Sequence, residues 1–166
     1  MKNIVKIIMG SDSDLPVMSE TAQILKSFGI GYEMRILSAH RTPDDLIGLI
    51  RDPSDKDVKI YIAAAGGAAH LAGVIASHTT RPVIGVPMDS AYLKGMDSLL
   101  STVQMPAGVP VATVAIGKPG AKNAALLAVE ILAISDERLN EALKKYREKM
   151  AEDVRTKDRS LLGNNP

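Results

Sequence analysis

The chain has 166 residues, 46% of them hydrophobic and 23% charged, with a net charge of +1 at neutral pH. That length suits one domain with a sizeable core, and the balanced charge gives no global field for nucleic acid or an anionic membrane. Cysteine is absent, which removes disulfides, thiolate nucleophiles and cysteine-based zinc or iron–sulfur sites.

In chain order, the β-branched run IVKIIM (4–9) predicts a strand, followed by the turn GSDSDLP and a helix from Pro16 to Phe28 that Gly29 ends. YEMRIL (32–37) predicts a second strand, with SAHRTP leading into a helix that begins near Pro43. KIYIAAA (59–65) is a third, followed by GGAAH and a small-residue helix across LAGVIAS. PVIGVP (82–87) and PVATVAI (110–116) are the fourth and fifth, with a helix AKNAALLAVEILA after Gly120. Strands alternating with helices at this spacing require right-handed crossovers, so the fold class is α/β with a parallel sheet covered on both faces.

A last helix is expected over 136–155, where Leu139, Leu143, Tyr146, Met150 and Val154 form one stripe among Lys, Arg and Glu. It follows the completed sheet and can dock on its own domain or on a neighbour's. Residues 156–166 lack periodicity and are expected to form a mobile tail, leaving 1–155 as a single domain. The N-terminal segment has neither a long apolar region nor a cleavage site, and the longest apolar stretch, NAALLAVEILAI, is interrupted by Glu130. A soluble cytoplasmic protein is therefore expected. Aromatic residues make up only 3%, so Ala, Gly, Val, Ile and Met must fill the core and any subunit contacts.

Ligands of an open parallel sheet bind beyond the carboxyl ends of its strands, which directs attention to the loops there. In GSDSD (10–14), Ser11 and Ser13 offer hydroxyls beside a helix N-terminus, which attracts anions. Asp14 is placed either to cap that helix or to meet a ligand. In SAHRTP, Ser38 and Arg41 can hold a phosphate, Arg41 through charge-assisted bonds, while Thr42 is expected to cap the next helix. His40 then lies beside the phosphate ester, and an imidazole can give and take a proton near neutrality. In AAAGGAAHL, Gly66 lets a flat ring approach the main chain, or simply makes a tight turn. His70 is read as a first-turn or core residue, and His78 as a helix-end residue. The three histidines have no metal-ligand spacing, so no metal site is expected, and neither a dinucleotide-binding nor a P-loop glycine motif is present.

Taken in order, GSDSD, SAHRTP, GGAAHL, GVP, DSLLSTVQMPAGVPVATVAIG and NAALLA resemble the class I N5-carboxyaminoimidazole ribonucleotide mutase family of de novo purine synthesis. The resemblance implies a three-layer, flavodoxin-like αβα fold with a five-stranded sheet, assembled as a homo-octamer in which the C-terminal helix reaches a neighbour. It implies a cofactor-free, metal-free isomerisation of a small ribonucleotide. By that resemblance His40 is the general acid–base, and Arg41, Ser38 and Ser13 grip the phosphate. Asp14 meets the ribose hydroxyls, Ser11 the migrating carboxylate, and Ala65, Gly66 and Leu71 the base. Ala64 stands where the family often has glycine, and Ala72 where proline is common.

Three other readings compete. A response-regulator receiver has acidic residues after strand one, as Asp12 and Asp14 are here, and a lysine after strand five, where Lys118 stands. It also needs an aspartate ending strand three, and this chain has IAAAGG there. A flavin- or nucleotide-binding module on the same fold needs aromatic stacking partners, which are scarce. The class II carboxylase takes aminoimidazole ribonucleotide and free CO2; the SAHRTP and GGAAHL loops resemble class I instead.

Overall fold

The computed structural model describes residues 4–163. Five strands are present: β1 (Val5–Met9), β2 (Tyr32–Ile36), β3 (Ile60–Ala65), β4 (Val83–Pro87) and β5 (Ala112–Thr113). Between and after them run α1 (Leu15–Ser27), α2 (Pro43–Arg51), α3 (Leu71–His78), α4 (Met96–Val103), α5 (Gly117–Ala133) and α6 (Glu137–Gly163). The strands pair in parallel in the order β2-β1-β3-β4-β5. With helices on both faces, this is the three-layer, flavodoxin-like α/β fold expected from the sequence.

The side-chain period of two divides the core. Ile8, Tyr61, Ala63 and Val83 face Leu46 of α2 and Leu71, Ala72 and Ile75 of α3 in one buried cluster. The other sheet face is left for α1 and α5, which bury Met18, Ala22 and Leu25, and Ala121, Ala124, Ala125 and Ala128. The alanine stripe lets α5 come close enough to α1 for Thr21 Oγ1 to donate to the Ala121 carbonyl at 2.7 Å. Lys6, only 1% exposed, is the one charge in β1. A buried ammonium needs partners, and it has Asp55 and Glu33, the latter at 3.4 Å.

Two compact units divide the chain, one through Ala128, which holds the whole sheet, and one from Val129 onward. In the second unit α6 continues to Gly163, so the helix expected to stop at 155 takes in most of the tail. No proline or glycine interrupts residues 156–162, and Glu152 pairs with both Arg155 and Arg159 along the helix surface. Residues 164–166 of the expected tail lie outside the described residues. Within the same unit Arg147 also pairs with Glu130.

Two further elements differ from expectation. β5 was expected over 110–116 and has only two residues. Pro110 has no N–H to donate, and the strand sits at the sheet edge, where pairing is available on one side only. α4 (Met96–Val103) is a helix that the sequence reading does not predict. Its apolar pattern is inverted: Ser98 and Thr102 are buried, while Met96, Leu100 and Val103 are exposed. The buried hydroxyls satisfy themselves locally, Ser98 Oγ donating to the Met88 carbonyl at 2.6 Å and Thr102 Oγ1 to the Ser98 carbonyl at 2.7 Å.

α4 can lie this close to β4 because Gly85 has no side chain. A Cβ there would stand 2.3 Å from Thr102 Cγ2 and 3.0 Å from Val111 Cγ1, both stiff, β-branched groups. Gly85→Ala is therefore expected to cost about 1–3 kcal/mol of stability by overpacking. The check is a lower urea midpoint with an unchanged slope.

Candidate functional site

The loops after β1, β2, β3 and β4 surround one cleft of about 480 Å³, a size suited to a small ligand. The cleft is lined by Ser11, Ser13, Asp14, Ser38, His40, Arg41, Ala65, Gly66 and Leu71, so every site residue expected from the sequence is brought to one place. Also at its walls are Gly10, Ala39, Gly67, Ala68, His70, Met88 and Asp89.

The first loop leaves β1 at Gly10, whose N–H donates to the Ala64 carbonyl at 3.0 Å and extends the β1–β3 pairing by one residue. A short 3-10 turn follows over Asp12–Asp14, capped by Ser11, whose Oγ accepts from the Ser13 N–H at 3.3 Å. Ser13 Oγ lies 2.9 Å from Ser11 Oγ, so the two hydroxyls form one polar cluster. Asp14 occupies the N-cap position of α1 but makes no side-chain capping bond. The 3-10 turn ahead of it supplies the entry to the helix instead.

The second loop is shaped by Ser38. Its Oγ accepts from the N–H groups of His40 and Arg41 at 3.3 and 3.2 Å, making a tight Ser turn. Thr42, expected to cap α2, makes no capping bond. Its Oγ1 accepts from the Ser38 N–H at 3.0 Å and so closes the same turn. Arg41 reaches across the cleft, with one terminal nitrogen donating to the Gly10 carbonyl at 2.8 Å. The guanidinium thereby joins the first two loops and brings a fixed positive charge to the Ser11–Ser13 hydroxyls.

The third loop turns through Gly67 at φ +61°, a conformation that favours glycine. It delivers His70 to the N-cap of α3. The His40 Nε2 and His70 Nδ1 atoms are 2.8 Å apart, with the rings nearly perpendicular at 88°. The sequence points to a first-turn or core residue at His70; residues 30 apart leave no periodic signal of the contact with His40. The fourth strand end adds Met88, whose N–H donates to the Ala65 carbonyl at 2.9 Å. Among the described residues, no group of three or more His, Cys, Asp or Glu is placed to hold a metal ion, and no helix is long and apolar enough to cross a membrane.

The cleft thus offers an apolar wall of Ala39, Ala65, Leu71 and Met88, hydroxyls and a guanidinium for an anion, and imidazoles for proton transfer. Asp14 differs electrostatically from an ordinary surface carboxylate. Burial pushes its pKa up; hydrogen bonds from the Ser11 backbone and the Ser13 side chain oppose the rise, and the Asp12 charge adds to it.

The comparisons place this geometry among known proteins. The family model described as AIR carboxylase matches residues 4–153. The chain is 60% identical over 146 residues to the N5-carboxyaminoimidazole ribonucleotide mutase of Pyrococcus abyssi, covering 88% of this chain and 83% of that protein. It is 54% identical over 157 residues to the protein of the same name from Mycobacterium leprae, covering 95% and 91%. The crystal structure of Treponema denticola PurE superposes with a TM-score of 0.85 at 34% identity, over 95% of this chain and 97% of that one.

A carboxyl whose folded-state pKa lies above its unfolded value is comfortable when protonated. Its contribution to stability is intact below the unfolded value, about pH 4, and is lost as pH rises through the folded value. Asp14→Asn removes that loss. The variant is expected to melt higher than the parent at pH 7, with the advantage disappearing below about pH 4. Melting curves across that range test it; an advantage independent of pH would contradict the buried-carboxylate origin.

Proposed function

Because the chain belongs to the AIR carboxylase family, we propose that it is an isomerase converting N5-carboxyaminoimidazole ribonucleotide to 4-carboxy-5-aminoimidazole ribonucleotide. The observation that carries this reading is one cleft holding the Arg41 guanidinium, the Ser11–Ser13 hydroxyls and the His40 imidazole against an apolar wall. The relatives named as mutases, at 51–60% identity, support it.

In this proposal Arg41, Ser38 and Ser13 hold the 5′-phosphate, Asp14 the ribose hydroxyls, and Ala65, Gly66 and Leu71 the base. Ser11 meets the carboxylate that migrates. His40, as imidazolium, gives its proton to the carbamate nitrogen; the N–C bond breaks toward nitrogen, and CO2 leaves as a neutral molecule held against the apolar wall. The enamine-like C4 of aminoimidazole ribonucleotide then attacks CO2, and His40 takes the C4 proton as the ring regains aromaticity. The proton count closes with His40 again charged, and no electrons are exchanged, so the sequence balances without a redox partner.

The proposal includes a homo-oligomer, an octamer by the family resemblance, working in the cytoplasm. The outward stripe of α4 supports assembly: Met96, Leu100 and Val103, each about half exposed, lie three and four residues apart on one helix face. On α6, Met150, Val154 and Leu161 form a stripe of their own. A second copy of the chain is the occupant proposed for them. Leu100→Glu with Val103→Glu is expected to lower the molar mass measured by light scattering.

His40→Asn should retain the assembled fold and lose about 10²- to 10⁴-fold in kcat, and turnover near the parent rate would refute the assignment. Arg41→Ala is expected to act chiefly on KM. The reaction itself is tested by supplying the carbamate nucleotide in labelled bicarbonate. The proposal expects C-carboxylated product largely free of label. Heavy incorporation, together with turnover of aminoimidazole ribonucleotide plus bicarbonate, would identify a carboxylase instead.

A further inference from the structure

The contact between His40 Nε2 and His70 Nδ1, at 2.8 Å, requires one proton between two ring nitrogens, and its two possible directions are not equivalent. If His40 donates, both neutral rings carry their proton on Nε2, the tautomer that a histidine side chain ordinarily prefers. If His70 donates, both rings must carry it on Nδ1. The hydrogen bond on one nitrogen decides what the other can do. We propose that His70 is a positioning residue for His40. By accepting from His40 Nε2–H it fixes the tautomer and the ring plane, and makes Nδ1 of His40 the nitrogen that gives and takes the proton.

This inference rests on the acid–base role proposed for His40 and extends it. When His40 is imidazolium, its Nε2–H···Nδ1 bond to His70 is charge-assisted and stronger than in the neutral ring. The proton on His40 Nδ1 passes to the carbamate nitrogen, and the C4 proton returns to the same atom; His70 stores nothing, and the balance is unchanged. Protonation of His70 on Nδ1 would break the bond, so the pair holds its working state only while His70 is neutral.

The near-perpendicular rings, 88° apart, suit a ring N–H aimed along the lone pair in the plane of its neighbour. His70 is held there by its own backbone, its N–H donating to the Ala68 carbonyl at 2.7 Å and its carbonyl accepting from Val74 N–H at 2.9 Å. Other charged groups at the cleft are Asp14 from the β1 loop, Arg41 beside His40, and Asp89 after β4. Arg41 is engaged with the Gly10 carbonyl, and the Asp89 carboxylate accepts from the Ser90 N–H at 3.0 Å.

The test compares His70→Ala with His70→Asn, whose Oδ1 can accept a hydrogen bond near the place of Nδ1. The alanine variant is expected to lose about 10- to 100-fold in kcat, the reach of one charge-assisted bond, with KM within about twofold. His70→Asn should recover most of kcat. Parental kcat in the alanine variant would overturn the proposal, as would an asparagine variant no better than alanine. Long-range ¹⁵N–¹H spectra of the free protein read the tautomers without any turnover. They should show protonated Nε2 and bare Nδ1 on neutral His40, and the reverse tautomer would overturn the positioning role. If the parent protein fails to turn over the carbamate nucleotide, the functional reading falls while the spectra still decide the histidine pair.

Discussion

Strand β1 has a parallel neighbour on each side, and the chain departs from it in opposite directions, first to β2 and later, through β3, to β4 and β5. Its backbone groups are satisfied by both neighbours, in a register that sets Met9 beside Ile36 and Ala64. That pairing fixes where the first three loops begin. Helices α1 and α2 must leave toward opposite faces of the sheet, which opens a crevice between the loops that precede them. Gly10 and Leu37 extend the ladders by one hydrogen bond each, their N–H groups donating to the Ala64 and Met9 carbonyls. The cleft is thus a consequence of strand order, and its residues are those that the chain places at the strand ends.

Small polar groups then convert the crevice into a rigid site. Ser38 and Thr42 hold the second loop with side-chain bonds to its own backbone, so His40 and Arg41 are presented by a closed turn and not by a free loop. Arg41 ties that turn to Gly10. The cost of ordering these groups is met before any ligand arrives, which is the general advantage of preorganisation in binding and catalysis. The same economy of small side chains operates at α4. Gly85, Ser98 and Thr102 allow close approach to β4, and the larger apolar residues of that helix are turned outward.

Much of this was legible in the sequence because its signals are local. Alternating strand and helix patterns located β1 to β4 to within a residue or two, and the strand-end rule gathered the loops containing Ser11, Ser13, Asp14, Ser38, His40 and Arg41. What the sequence did not disclose depends on three-dimensional packing. α4 goes unpredicted because its apolar side faces outward, reversing the usual amphipathic logic. β5 is shortened by Pro110 and its edge position. Asp14 and Thr42 look like helix caps, yet neither side chain makes a capping bond, and Thr42 instead closes the Ser38 turn. The His40–His70 contact joins residues on the loops after β2 and β3, and only the pairing of those strands on either side of β1 brings the two rings together.

The most direct measurement is a crystal structure of the protein with aminoimidazole ribonucleotide bound. The phosphate should lie against Arg41, Ser38 and Ser13, the ribose against Asp14, and ring carbon C4 within reach of His40, with the base along Ala65 and Gly66. A nucleotide bound outside this cleft, or one whose C4 is turned away from His40, would contradict the proposed chemistry.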